Sequence, residues 1–288
     1  MKISVCGKGG SGKTTIVTLL ANEGRARGYR VLVVDSDESN SGLFRMLGFD
    51  RPPAPLMELV GGKNKVQRKM KRGYSAAEAE TGMRVMTQEK IMIDDIPVGN
   101  ILEQDNLNLV SVGKIHQSLE GCACPMGVLS REFLKKLSLK RDEIAIVDME
   151  AGVEHFGRGV ETSIDTVLIV VEPSFESLQL AERVNNLSRE IGVTNVWAIL
   201  NKVPSDEIAS KLEAELDKRS MGRIGRIHYD TEIFHSCLEG LGLGKGSAGE
   251  EIRGVFDSLI SSNKSSFGPL TTEGHGAYEI TRKEKRGG

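Results

Sequence analysis

The sequence predicts an α/β fold: a doubly wound, mostly parallel β-sheet flanked by helices. Three observations carry this expectation. Short apolar runs rich in Val and Ile alternate with helical patterns along the 288 residues, as they do where strands buried on both faces are joined by crossover helices. The first run, Ile3 to Cys6, leads directly into a glycine-rich stretch and then a helical pattern, Ile16, Leu19, Leu20 and Glu23. Polar motifs follow the ends of later runs, where open parallel sheets collect their functional residues.

Strands are expected near 2–6, 31–35, 107–112, 144–149, 166–171, 195–200 and 223–228, with helices between them. From about Arg51 to Asp105 the pattern weakens into Pro52, Pro53, Pro55, Gly61 and Gly62 and then a charged section. Residues 51–105 are therefore expected to be a mobile insertion within one domain spanning 1–260. Residues 261–288, rich in Ser, Gly and Lys, are expected to be a disordered tail. A hydrophobic content of 39% over 288 residues suffices for one large core. The balance of 38 basic against 40 acidic residues speaks against nucleic acid as a partner. No stretch approaches the ~20 apolar residues of a membrane span, and the apolar start is too short for a signal peptide. A cytoplasmic protein without membrane or nucleic-acid partners is expected, its four cysteines serving as thiols or metal ligands rather than structural disulfides.

The stretch Gly7-Lys8-Gly9-Gly10-Ser11-Gly12-Lys13-Thr14-Thr15 fits the phosphate-binding loop of P-loop NTPases, with Gly7, Gly12, Lys13 and Thr14 as its frame. Glycines let such a loop turn back and bring backbone N–H groups up to a polyphosphate. Lys13 reaches the β/γ oxygens, Thr14 supplies a hydroxyl for Mg²⁺, and the helix that follows points its positive dipole end at the anion. A second lysine, Lys8, would crowd like charge around one phosphate unless it served another molecule's ligand. With Lys8 the loop resembles the deviant Walker A family, which contains the septum-site and chromosome-partitioning ATPases, nitrogenase iron protein and metal-insertion ATPases. The resemblance implies ATP/ADP as the ligand and a homodimer in which Lys8 reaches the partner's nucleotide.

After the run ending Val33, Val34 comes Asp35-Ser36-Asp37-Glu38-Ser39-Asn40. Carboxylates at a strand end beside a phosphate loop can hold Mg²⁺ through its waters and position the water that attacks the γ-phosphate. The segment resembles the family's first switch, Asp37 matching its catalytic aspartate, with Glu38 where the family often has proline. The strand 144–147 ends in Asp148-Met149-Glu150-Ala151-Gly152. This fits a Walker B carboxylate, Asp148, followed by a glycine, Gly152, that permits rearrangement. The longer string through Glu154, His155 and Arg158 resembles nickel-insertion ATPases that mature carbon monoxide dehydrogenase and acetyl-CoA synthase. Glu154 and His155 read either as structural parts of this second switch or as transient metal ligands. Asn201-Lys202 resembles the family's base-recognition motif, in which the amide pairs with the adenine edge and the lysine stem covers it. In Ile227-His228-Tyr229-Asp230, His228 replaces a proline common in the family.

Cys122 and Cys124 flank Ala123, and one chain offers two thiolates where a closed four-ligand site needs four. A dimer supplies four. Thiolates suit nickel, zinc, copper(I) and iron–sulfur clusters alike. The nickel-insertion ATPases carry such a pair at this point, so the resemblance implies Ni²⁺, with Zn²⁺ suited to the same sulfurs. Cys6 and Cys237 read as buried small hydrophobes. The basic block Lys63 to Arg72 reads as a solvated face. The expected function is an ATP-hydrolysing homodimeric metallochaperone that couples nucleotide state to nickel binding and insertion into a client, carbon monoxide dehydrogenase or acetyl-CoA synthase. An iron–sulfur ATP-dependent reductase similar to nitrogenase iron protein, a spatial-organising ATPase and a zinc-stabilised dimer are the other readings.

Overall fold

Val- and Ile-rich runs form strands because branched side chains pack well on a pleated surface covered from both sides. In the computed structural model, which describes residues 1–71, 86–114, 124–157, 159–243 and 248–263, they assemble into one sheet. The strands are β1 (Lys2–Gly7), β2 (Arg30–Asp35), β3 (Ile101–Gln104), β4 (Leu107–Ser111), β5 (Glu143–Asp148), β6 (Thr166–Val171), β7 (Val196–Val203) and β8 (Arg223–His228), in the order β3-β4-β2-β5-β1-β6-β7-β8. All neighbours pair in parallel except β3 and β4. The helices are α1 (Lys13–Ala26), α2 (Leu43–Met46), α3 (Leu56–Leu59), α4 (Lys63–Lys71), α5 (Cys124–Lys136), α6 (Glu154–Gly157), α7 (Phe175–Glu190), α8 (Asp206–Lys218), α9 (Thr231–Glu239) and α10 (Ala248–Ser262).

The seven expected strands are present, and two differences matter. β3 was not anticipated: it pairs antiparallel with β4 through a two-residue turn, Asp105 (φ 49°) and Asn106 (φ 64°). Both turn residues are left-handed, as tight hairpins with the sheet's twist require, and Asp and Asn tolerate that conformation better than most side chains. β7 runs on to Val203, so Asn201 and Lys202 lie inside the strand rather than after it. Its register to β8 shifts between Leu200 and Val203, and Lys202 adopts φ 56°, an irregularity that re-aims side chains at the strand end.

Two apolar layers sandwich the sheet. α1 and α10 pack Ile16, Leu20, Ile252 and Phe256 on one face, against Ile3, Val31 and Ile146. On the other, α5, α7 and α8 contribute Leu129, Phe133, Ala181 and Leu212 against Leu32, Val147 and Ile169. The region 51–105 feeds the second layer with Leu56, Met57, Val66, Ile91 and Ile96, its residues 72–85 lying outside the described residues. The segment 264–288, most of the expected tail, also lies outside them. No helix among the described residues is long and apolar enough to cross a membrane.

α10 is seated by close packing. Phe256 is fully buried, its ring 5.9 Å from that of Tyr29 and 5.0 Å from the Arg27 guanidinium, with Gly24 leaving space beside it. Removing that ring leaves a cavity that neighbouring strands cannot close. Phe256→Ala is expected to cost about 3–5 kcal/mol, read as a lowered urea midpoint with an unchanged slope.

Candidate functional site

The glycine-rich loop joins β1 to α1 at the carboxyl edge of the sheet. Gly7 (φ 144°) and Gly12 (φ 94°) are positions where a side chain would not fit: a Cβ on Gly7 would lie 2.5 Å from the Val170 carbonyl oxygen, and one on Gly12 2.3 Å from Asn201 Nδ2. Gly12 caps α1 with no side-chain hydrogen bond, and the first turn carries no acid. The free N–H groups and the dipole of this helix start therefore face whatever the loop encloses. Lys13 is buried, its Nζ 3.4 Å from the Lys8 carbonyl oxygen.

Three acids converge beside the loop. Asp35 and Asp148 end neighbouring parallel strands and stand opposite each other in the register. Thr14 Oγ1 donates to Asp148 Oδ2 (2.8 Å) and accepts from Asn40 Nδ2 (2.7 Å). Asp37 Oδ1 accepts from Ser39 N (2.9 Å), Ser39 Oγ (2.6 Å) and Asn40 N (3.3 Å), which folds the first switch over the site. Asp148 is fully buried; desolvation first, then the charge of Asp35, pushes its carboxyl up to about 7. Burial likewise raises Asp35 to about 6, against the opposing pull of Lys114, whose Nζ lies 2.7 Å from Asp35 Oδ1.

These residues fit a divalent cation. Asp148 Oδ1 is buried with no hydrogen-bond partner, and acids crowded enough to hold protons near neutrality are relieved by a bound cation. Thr14 and Asp148 would hold Mg²⁺, directly or through water, where it would neutralise phosphate charge. Among the described residues no group of three or more His, Cys, Asp and Glu side chains forms a metal cluster.

Lys8 turns away from its own loop: its Nζ pairs with Glu172 (3.0 Å), and the hydrogen bond it donates to that carboxylate raises the lysine's proton affinity. Glu172 follows β6 and also lies 3.8 Å from Lys202 Nζ, while Lys202 donates back to the Gly10 carbonyl. Asn201 Nδ2 donates to the Ser11 carbonyl oxygen (2.8 Å), so this amide braces the loop from β7. The second switch touches the loop as well, through Gly152 N to the Gly7 carbonyl oxygen (3.3 Å).

A cavity of about 440 Å³ opens over the loop, large enough for a nucleotide. Gly9, Gly10, Lys13, Thr14, Thr15 and Asp37 line its phosphate end; Asn201, Lys202, Tyr229, Ile233 and Phe234 line the other. Asp230 shapes that end by capping α9, accepting from Glu232 N (2.7 Å) and Ile233 N (3.1 Å). His228, where proline was expected, is bound to Glu251 through its ring Nδ1 and its backbone N–H.

The sequence signals place Gly7 to Thr15, Asp37, Asp148, Gly152, Asn201 and Lys202 around one site. Glu172, Asn40 and Lys114 went unread; a single acid or lysine after a strand carries no motif, and only tertiary contact gives it a partner. Cys6 is buried as expected, but Cys237 is exposed and lines the cavity. The apolar pattern of α9 resembles a core face, yet this helix buries none of its residues and covers the cavity instead. His155 is buried beside Phe156, ring centroids 4.8 Å apart, and the Glu154 carboxylate accepts from Val153 N (3.0 Å), the structural alternative for both. Cys124 opens α5 and is disulfide-bonded, contrary to the expectation of free thiols; sulfurs able to share an ion are equally able to oxidise onto each other. Cys122 and Arg158 lie outside the described residues.

Two outcomes follow from this geometry. Gly12→Ala forces a Cβ onto the Asn201 amide at a left-handed φ, so nucleotide affinity should fall at least about 100-fold by calorimetry, with the fold retained by circular dichroism. For Asp148, a carboxyl pKa raised from the unfolded value to about 7 means that the native state binds more protons between those limits, so stability falls as pH rises from about 4 to 7. In metal-free protein, Asp148→Asn should flatten that pH dependence and raise stability at pH 7.5 by about 1–3 kcal/mol, measured by urea unfolding, while abolishing Mg²⁺-dependent turnover.

Comparison with known proteins gives the family of this chain. The family profile described as CbiA, the CobQ/CobB/MinD/ParA nucleotide binding domain, matches residues 3–243. The chain is 45% identical over 240 residues to an uncharacterised ATP-binding protein of Methanocaldococcus jannaschii, covering 83% of this chain and 92% of that one. It is 33% identical over 245 residues to the carbon monoxide dehydrogenase accessory protein CooC of Rhodospirillum rubrum, covering 84% and 88%. The septum site-determining protein MinD of Pyrococcus horikoshii, solved with Mg-ADP, superposes with a TM-score of 0.65 at 18% identity over 92% of this chain and 98% of that one, a likeness of fold. With its phosphate loop, paired acids and cavity in the arrangement described, the chain belongs to the CbiA family of CobQ/CobB/MinD/ParA nucleotide-binding domains and is a P-loop ATPase.

Proposed function

We propose that this ATPase is a homodimeric metallochaperone that couples MgATP binding and hydrolysis to the capture and release of nickel at a site shared by two subunits, delivering the metal to carbon monoxide dehydrogenase or acetyl-CoA synthase. The observation that carries the reading is the position of Cys124. It begins α5, the helix after β4, at the same carboxyl edge of the sheet as the phosphate loop and both switches. Kinship with an accessory protein of carbon monoxide dehydrogenase supports the choice of client. Four thiolates, two from each subunit, complete a soft-metal site that one subunit leaves half built.

The side chains divide the work. Lys13 and the loop N–H groups hold the phosphates. Asp37, once its carboxylate turns from Ser39 toward the cavity, orients the attacking water. Asn201 and Lys202, with Tyr229 and Phe234, enclose the base. Lys8 is held by Glu172, poised outside its own loop, and exchanges that carboxylate for the partner's nucleotide when ATP draws two subunits together. Hydrolysis removes the bridging phosphate and lets the cysteine pairs separate.

Anaerobic nickel titration of reduced protein, with and without ADP or ATP, tests the reading. Wild type should bind about one Ni²⁺ per two chains, and Cys122→Ser/Cys124→Ser should lose it. Equal binding by both proteins, at the same stoichiometry, overturns the metal assignment. Lys8→Ala should keep nucleotide binding and lose about 10²-fold in turnover; unchanged turnover removes its role across the dimer.

A further inference from the structure

We propose that Lys114 and Ser130 form the mechanical link through which the first switch moves the first turn of α5, making nucleotide state legible at Cys124. This inference rests on the metallochaperone reading above and names its transmission. Lys114 leaves the end of β4, and its Nζ holds two parts of the first switch at once: Asp35 Oδ1 at 2.7 Å and the Asp37 carbonyl oxygen. Both partners of this ion pair are largely buried, with side-chain exposures of 14% and 9%. Separating them would strand an uncompensated charge, so Lys114 follows the switch when the switch moves.

The next residue of the switch, Ser36, makes the second contact. Its hydroxyl lies 2.9 Å from that of Ser130, which is fully buried on α5 less than two turns beyond Cys124. Beside it the strand exit and the helix touch without slack: a Cβ on Gly113 would lie 3.0 Å from Met126 Sδ. The far end of α5 is anchored separately, by Ile91 N to the Lys136 carbonyl oxygen (2.9 Å) and Lys2 Nζ to the Leu134 carbonyl oxygen (2.6 Å). A helix fixed at its far end and gripped by the switch at its middle swings about that anchor, and the displacement is largest at its first turn, where Cys124 sits. Asp37, Ser39 and Asn40 line the nucleotide cavity, so a ligand that reorganises this turn displaces the carbonyl that Lys114 holds. Lys114 is thus a positioning residue: it is not among the residues that line the nucleotide cavity, and it acts through Asp35 and Asp37.

Peptide-resolved iodoacetamide labelling of the reduced full-length protein tests the link, comparing Mg²⁺ with ADP and Mg²⁺ with a non-hydrolysable ATP analogue. In wild type the analogue should slow labelling of Cys124 about tenfold relative to ADP, within the usual range of site-to-site coupling. Cys237 lines the nucleotide cavity, so its protection reports occupancy independently in every sample. Lys114→Ala and Ser130→Ala should each shrink the ratio and together bring it within about twofold of unity, while Cys237 stays protected and the melting curve stays cooperative. Lys114→Arg should keep the ratio. If Lys114→Ala fails to fold, Ser130→Ala, which deletes one hydroxyl, decides alone. A full wild-type ratio in the double variant, or in Ser130→Ala where it stands alone, overturns the link. Absence of any ratio in wild type overturns both the link and the coupling it serves. A ratio that the variants abolish, in protein whose cysteines take up no nickel or zinc, leaves the link standing and removes the metal reading.

Discussion

Pairing β2 with β5 in parallel register sets Asp35 opposite Asp148, and much of the site's chemistry follows from that juxtaposition. Two carboxylates at the ends of adjacent buried strands, with Asp37 close by, cannot all stay ionised at low cost in a dry environment. The fold answers locally with Thr14, which donates to Asp148, and Lys114, which neutralises Asp35. What remains unmet is one buried oxygen of Asp148, the place where a cation belongs. Tension between acids therefore makes the site hungry for positive charge before any substrate arrives, and gives the bound metal a share in stability as well as in catalysis.

The cations are arranged with equal economy. Lys13 stays with its own loop, whereas Lys8 and Lys202 both lean on Glu172 from opposite sides. Glu172 thus holds Lys8 away from the anion site of its own loop. The pairing is partly exposed, so solvent screens it and the lysine is held loosely.

Fold-level likeness does not distinguish a cell-division ATPase from a metal-delivery one, because the switch machinery is common to both and function lies in what is grafted onto it. In this chain α5 carries a cysteine at its first turn. A buried hydroxyl contact, Ser36 to Ser130, joins α5 to the segment that follows β2 beside the phosphate loop.

The phosphate loop, the acids at strand ends and seven of the strands were legible in the sequence because each depends on local chemistry. Glycines are required where a side chain would strike a neighbouring carbonyl, and Val- and Ile-rich runs are required where both faces of a strand are covered. β3 was not legible: it is short, edge-lying and half polar, and it becomes a strand by pairing with β4 across the Asp105–Asn106 turn. Glu172, Asn40, Lys114 and Ser130 were not legible either, since none belongs to a motif and each gains its meaning from a partner distant in sequence. Cys237 reads as core by composition yet faces the cavity, because a helix laid over a ligand site has the same apolar pattern as one laid over a sheet. The sequence by itself determined the fold class, the phosphate site and the residue types at hand. Tertiary structure alone decided which charges neutralise which, because burial and strand register, rather than residue identity, set those distances.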